Sequence, residues 1–147
     1  MDELITAWAD WSPWVPLHAA SQAPRSPGVY LARQTADGPV VYVGMAGERR
    51  GEGLSGRLKR YTSGRATTSG LGEAALDRAL ADPAWLRDRL AEAEKGHAMR
   101  ATEWGKAALR RADLHVCWAV TDSSEAARRL ERIICSSTQV QWWNRAR

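Results

Sequence analysis

Two tyrosines flank a short polar turn, in the segments Gly28-Val29-Tyr30 and Tyr42-Val43-Gly44. A phenol has a pKa of about 10 in water, so it can take up a proton near neutrality only where a cation lowers that pKa. Residues 28–45 are rich in Val, Leu and Tyr on both sides of the turn, which predicts a β-hairpin. What the phenols can do together therefore depends on whether the hairpin places them on one face.

The length of the turn decides that question. If residues 36–38 form a three-residue loop with the glycine in the left-handed conformation, Tyr30 lies opposite Gly44 and Tyr42 opposite Ala32. Both tyrosines then share a face as diagonal neighbours, roughly 7 to 8 Å apart between Cα atoms. A two-residue turn would separate them. The predicted opposite, core face holds Val29, Leu31, Val41, Val43 and Met45.

Four further polar residues follow the hairpin at informative positions. Arg57 and Tyr61 lie one turn apart in a predicted helix over residues 54–63, so they share a helical face. Glu131 lies in a later predicted helix, which Ser123 or Ser124 caps, and Asn144 follows that helix. Ordinary alternative explanations exist for the two hairpin tyrosines, as good strand formers, and for three of the later residues: surface charge for Arg57, ion pairing with Arg128 or Arg132 for Glu131, and a turn for Asn144.

Taken together, in this order and at these separations, the six residues resemble the site of the GIY-YIG nuclease family. The resemblance covers residues 28–64 and 113–144 and is carried by the two tyrosine segments, Gly56-Arg57-Leu58-Lys59-Arg60-Tyr61, Glu131 and Asn144. It implies an α+β fold of the GIY-YIG type with a small antiparallel or mixed three-stranded sheet, built here as hairpin, helix, helical insert, strand and helix. The insert lies outside the resemblance and is long compared with a minimal module. It also implies a metal-dependent endonuclease that hydrolyses DNA phosphodiester bonds.

The resemblance implies a role for each residue. Glu131 would hold one Mg²⁺ or Mn²⁺ ion that touches the phosphate. Arg57 would grip the phosphate as negative charge builds. Tyr30 would act as general base or orient the water, with Tyr42 as its partner and alternative, while Tyr61 and Asn144 hold neighbouring groups or phosphate. Further phosphate contacts are expected at Gly44, Lys59, Arg60 and Arg145.

The remaining elements are expected around this frame as one domain over residues 1–147. Residues 1–27 form a Trp-rich, Pro-rich lead-in whose tryptophans cover the core. Residues 66–112 form an insert of two or three helices, one starting at Pro83 and broken at Gly96. A buried strand is expected over residues 114–120, and Cys117 and Cys135 are interpreted as reduced core residues.

The composition is compatible with a nucleic-acid partner. The net charge is +4 and the basic residues are mostly arginine, whose planar donors suit phosphate. We expect DNA as the partner, with RNA still open, a cytoplasmic protein without a membrane span, and a homodimer or partner protein bound through the insert. A restriction or phage-defence role is favoured over repair or a toxin, and a non-cleaving binding module with the same fold is the alternative.

Other chemistries fit the sequence less well. Residues 51–56 match the dinucleotide-binding pattern GxGxxG, but a hairpin precedes them rather than the first strand of a parallel unit. No lysine completes a (D/E)xK nuclease motif, and His18, His97 and His115 lack metal-ligand spacing.

Overall fold

A computed structural model describes residues 3–144 of the chain, apart from the side chain of Arg49. The helices are α1 (Glu3–Ala7), α2 (Gly53–Thr62), α3 (Gly70–Leu80), α4 (Pro83–Glu94), α5 (Ala101–Ala112) and α6 (Ser124–Ser137). The strands are β1 (Val15–Pro16), β2 (Gly28–Gln34), β3 (Val40–Ala46) and β4 (Leu114–Val120), and two short 3-10 helices cover Leu17–Gln22 and Arg49–Gly51.

The strands form one antiparallel sheet in the order β1-β4-β2-β3. The α+β class is confirmed, whereas the prediction of three strands is wrong because β1 adds a fourth. The prolines of the lead-in indicated irregular chain there, yet Val15 pairs with Val116 and Pro16 with His115. Proline, which has no N–H to donate, is tolerated here because β1 is an edge strand.

The hairpin has the predicted register at the tyrosines. Tyr30 lies opposite Gly44, and Ala32 lies opposite Tyr42. Beyond Ala32 the register shifts, so that the core cluster takes Val40 where the sequence predicted Val41. A shift of one residue exchanges the two faces of a strand, which explains this correction.

The turn itself differs from the predicted loop. Thr35, with φ 59°, adopts the left-handed conformation expected for Gly38, whose φ is not positive. Gly38 is required for another reason, because a Cβ there would lie 1.9 Å from the carbonyl oxygen of Gln34. The shift in register compensates for the different turn, so the tyrosines still lie on one face.

A hydrophobic core fills the space between the other face of the hairpin and α6, which packs against β2 and β3. Three tryptophans of the lead-in pack against this core, as predicted for a cover. The core cluster is Ile5, Val29, Leu31, Val40, Val43, Cys117, Ala127 and Ile134, and the tryptophans are Trp8, Trp11 and Trp14.

The two cysteines differ from each other. Burial raises the pKa of the Cys117 thiol to about 12, as expected for a core thiol. Cys135 is exposed, so its assignment to the core is wrong. The apolar Ile133-Ile134 pair beside it suggested burial, but only Ile134 of that pair lies on the buried side of α6. Neither cysteine forms a disulfide.

The chain divides into two compact units, the first holding the residues up to Lys59 and those from Asp113 on, the second Arg60–Ala112. The second unit contains three helices, in agreement with the predicted insert, and α3 packs on α5. Asp82 caps α4 through the backbone N–H groups of Ala84 and Trp85. Its hydrogen bond with Arg111, 2.9 Å from Nε to Oδ2, is the main reason why the pKa of Asp82 is lowered.

Within residues 3–144, no helix has the length and apolar character that crossing a bilayer requires.

Candidate functional site

Tyr30 and Tyr42 stack on one face of the hairpin. Their ring centroids are 6.1 Å apart, and the ring planes differ by 25°. Tyr30 is 0% exposed and Tyr42 is 7% exposed. We refer to these two residues as the tyrosine pair. The two tyrosines of the predicted site therefore lie in contact with each other.

Gly44 makes room for the tyrosine pair. A Cβ on Gly44 would lie 2.3 Å from the hydroxyl oxygen of Tyr30 and 2.4 Å from its Cζ. No side chain fits at such a distance, so the ring of Tyr30 lies directly over the backbone of β3. The glycine of the Tyr42-Val43-Gly44 segment is therefore a packing requirement of the pair, whatever else it contacts.

Helix α2 covers the same face of the sheet as the tyrosine pair. A Cβ on Gly28, which alternates in phase with Tyr30, would lie 2.7 Å from a Cδ atom of Leu54. The first turn of α2 is held by the lead-in, because the carbonyls of Ser26 and Pro24 accept from the N–H groups of Leu54 and Ser55, both at 2.9 Å. These bonds satisfy donors that a helix start would otherwise leave unpaired.

Arg57 projects from this anchored helix. It follows Leu54 by three residues and lies next to the buried Leu58, which places it at the border of the buried face. Its side chain is half-buried, and its Nε atom is fully shielded from solvent. A guanidinium fixed in this way loses less conformational freedom on binding an anion than an exposed one.

Tyr61 belongs to the second unit, where its ring is buried. Its hydroxyl oxygen accepts from the backbone N–H of Leu71 at 3.4 Å. Ser69, the N-cap residue of α3, makes no capping bond with its side chain. Tyr61 thus satisfies a donor at the start of α3. Its predicted role in the site stays a prediction.

Glu131 lies on the buried side of α6 together with Ala127 and Ile134. It is 7% exposed, although burial of an ionised carboxylate is costly unless a cation or hydrogen bonds offset it. Because α6 packs on the core side of β2 and β3, Glu131 comes from the helix opposite the tyrosine face. The structure brings Tyr30, Tyr42 and Gly44 together on one face of the hairpin. Glu131, in contrast, belongs to the helix that packs on the opposite face of the same two strands.

Asn144 is held against the outer edge of β3. Its side-chain oxygen accepts from the N–H of Val43 at 3.2 Å, and its side-chain amide donates to the carbonyl of Val43 at 2.6 Å. One residue earlier, the N–H of Trp143 donates to the carbonyl of Val41 at 2.7 Å. Residues 143–144 therefore pair with the strand on both sides of Tyr42, which makes Asn144 a positioning residue for β3.

The remaining predicted contacts are distributed along α2 and the C-terminus. Lys59 and Arg60 are exposed on α2. Arg145 lies outside the described residues.

The donor atoms limit which metal the site could hold. Within residues 3–144, no group of three or more His, Cys, Asp or Glu residues is arranged to bind an ion. Zinc and calcium sites usually need several protein ligands, whereas Mg²⁺ and Mn²⁺ are often held by one carboxylate and several waters. Glu131, a single carboxylate on a buried helix face, fits only the second kind of site.

A cleft of about 570 Å³, which was not predicted from the sequence, lies beside β3 and the chain that follows α6. Its polar wall contains Gln34, Gln139 and Gln141, and Trp143 also lines it. The alternation Gln139-Val140-Gln141 was the available signal, because it is typical of an extended segment with one face toward the protein.

Comparison of the chain with protein-family models, with curated proteins and with solved structures finds no match.

Proposed function

We propose that this protein is a metal-dependent endonuclease of the GIY-YIG type that hydrolyses phosphodiester bonds in DNA. The observation that carries the proposal is the stacked tyrosine pair over Gly44, in the register that the resemblance requires. Two further features support it: Arg57 belongs to α2, the helix that covers the tyrosine face of the sheet, and Glu131 is a buried carboxylate.

Each residue has a defined task in this proposal. Arg57 binds the non-bridging phosphate oxygens and stabilises the charge that develops on them. Tyr30, as the phenolate, orients the attacking water and takes its proton to become the neutral phenol, a step that requires the guanidinium to stabilise the phenolate near neutrality. Tyr42 holds the ring of Tyr30 by stacking and can exchange this role with it. Asn144 keeps β3 in place.

Glu131 would hold the Mg²⁺ or Mn²⁺ ion, which when bound supplies charge neutralisation at the phosphate and the leaving oxygen. For this, the Glu131 carboxylate must reach, from α6, the phosphate that Arg57 and Tyr30 bind. The proposal therefore depends on Glu131 and Tyr30 serving the same phosphate.

A non-cleaving nucleic-acid-binding module is the second candidate. Two observations favour it: both tyrosines are buried, and Glu131 lies on the helix that covers the opposite face. In that case the tyrosine pair and Glu131 serve packing alone, and the exposed Lys59 and Arg60 bind the phosphate backbone. The two candidates differ in a single measurable property, cleavage. We further propose restriction or phage defence as the biological role of the nuclease.

The test incubates supercoiled plasmid with the wild-type protein and with Tyr30→Phe, Arg57→Gln and Glu131→Gln, each with Mg²⁺, Mn²⁺ or EDTA. We expect nicking only with metal and a decrease of about 100-fold or more in the rate for each variant. Tyr30→Phe retains the ring and removes only the hydroxyl. Glu131→Gln retains the shape of the side chain and removes its charge.

Glu125→Gln is the matched control, because Glu125 is an exposed glutamate of the same helix, with its side chain 83% exposed. It should nick at the wild-type rate. Equal nicking by all variants would assign the activity to a contaminant or to other residues. No nicking by the wild type, on plasmids of varied sequence and modification, would favour the binding module.

A further inference from the structure

The cleft beside β3 has the chemistry of a site for a nucleobase. Its volume of about 570 Å³ lies in the range of small-molecule sites in proteins. Val40 and Val41 of β3 line it, together with Gln139, Gln141 and Trp143 from the segment that follows α6. The cleft lies entirely within the first unit.

The lining favours a neutral, planar ligand that can both donate and accept hydrogen bonds. None of the described residues that line the cleft has a side chain that is charged at neutral pH. Each glutamine amide offers a carbonyl acceptor and an NH₂ donor, and three of them surround the space. An uncharged wall does not attract phosphate, whereas paired donors and acceptors match the edge of a base.

Trp143 supplies the remaining element of base recognition. Bases stack on aromatic side chains, and this contact tolerates any base. The N–H of Trp143 donates to the carbonyl of Val41, so its backbone is fixed to the strand. Every unpaired base carries an adjacent donor and acceptor on its Watson–Crick edge, but adenine alone has a second such pair, N6–H₂ and N7, on its Hoogsteen edge, so it can bind two glutamine amides in a bidentate manner.

We propose that this cleft binds an unpaired nucleobase, preferentially adenine, of the DNA strand that the protein acts on. The proposal rests on the proposed function for its choice of ligand. Val41, which lines the cleft, directly precedes Tyr42 of the tyrosine pair. A base held there lies beside the strand that carries the proposed cutting site, so the cleft would determine which phosphate is presented to it.

The test measures equilibrium binding by fluorescence anisotropy in EDTA, which prevents metal-dependent cleavage. The probes are fluorescein-labelled single strands of equal length: dA12, dT12 and an abasic 12-mer with the same number of phosphates. We expect the wild type to bind dA12 about 10-fold more tightly than the abasic strand, since one stacked base contributes on that order. Binding to dT12 should lie between the two.

Substitutions identify the cleft as the source of this preference. Trp143→Leu should bring dA12 close to the abasic strand, and Trp143→Phe should restore most of the difference because it retains a ring. The double variant Gln34→Leu/Gln141→Leu should remove the preference for dA12 over dT12. Gln22→Leu is the control, since Gln22 is an exposed glutamine of the first unit that does not line the cleft.

Equal affinity of the wild type for dA12 and the abasic strand would overturn the proposal. So would a loss of affinity in Trp143→Leu that is equal for both strands, or a preference that survives the double glutamine variant. These outcomes are independent of plasmid nicking. If the wild type nicks plasmid but binds dA12 and the abasic strand equally, only the proposal of base binding is refuted. If it prefers dA12 but never nicks, only the proposal of hydrolysis is refuted.

Discussion

At the scale of single residues, glycine and tyrosine are matched across the hairpin. The ring of Tyr30 occupies the space where any other residue at position 44 would carry its Cβ. Tyr42 then stacks on Tyr30 from the diagonal position of the same face. The large ring at position 30 of β2 therefore requires glycine at position 44 of β3.

Gly44→Ala tests this arrangement. The added methyl group cannot coexist with the present position of the Tyr30 ring, so we expect the free energy of unfolding to decrease by about 1 to 3 kcal/mol, as for overpacked cores. Denaturant unfolding followed by circular dichroism measures the change. Nicking should be lost as well, because the Tyr30 hydroxyl is displaced.

Gly96→Ala is the comparison for this variant. Gly96 has a positive φ of 82°, but nothing lies within 4 Å of a Cβ built there. It isolates the cost of backbone strain, about 1 kcal/mol, and should leave nicking unchanged. If Gly44→Ala were as stable and as active as the wild type, the close packing of Tyr30 over β3 would be refuted.

At the scale of elements, the sequence predicted those whose signals are local. The helix starts at Pro83 and after Ser123, the break at Gly96 and the bounds of β4 all agree with the structure. Capping residues, proline and glycine act on their immediate neighbours, which is why they can be recognised without a structure.

The elements that were missed depend on partners distant in the sequence. β1 exists only because β4, about a hundred residues later, offers it an edge. The turn was predicted from its glycine, but Thr35 takes the left-handed conformation while its N–H donates to the carbonyl of Asp113 at 2.8 Å. Similarly, the positions of Glu131 and Asn144 in the sequence suggested a site, but the burial of Glu131 and the hydrogen bonds of Asn144 depend on the tertiary structure.

Asn144 gives a prediction at this scale. Asn144→Ala removes two hydrogen bonds to Val43, so we expect a loss of about 1 to 2 kcal/mol of stability. A more specific readout is native-state hydrogen exchange, in which the Val43 amide should exchange faster in the variant. Gln141→Ala, at an exposed neighbouring position, should leave that amide as protected as in the wild type. Unchanged exchange of the Val43 amide in Asn144→Ala would contradict a positioning role.

At the scale of the whole molecule, the excess of positive charge would govern the binding of the proposed DNA partner. The chain has 21 basic and 17 acidic residues, hence the net charge of +4. Binding through phosphate contacts releases counterions, so affinity falls as salt increases. Lys59 and Arg60 are exposed neighbours on α2, the helix that also carries Arg57.

We expect Lys59→Gln and Arg60→Gln each to reduce the slope of log affinity against log salt by about 1, if each contacts one phosphate. Titration of a labelled duplex at several salt concentrations measures the slope. Arg129→Gln is the control, because Arg129 is an exposed arginine of α6, near Glu125 at 3.8 Å. A slope that falls equally for all three variants would indicate a general effect of charge rather than contacts along α2.

The pairing of Asn144 with Val43 also has a consequence for biosynthesis. The two residues are 101 positions apart, so at 5 to 20 residues per second Val43 is translated roughly 5 to 20 s before its partner. During that interval the outer border of β3 has no covering chain from residues 143–144, and such a border can recruit a strand from another nascent polypeptide. We therefore expect the half-made hairpin to be most prone to such pairing before residues 143–144 are synthesised.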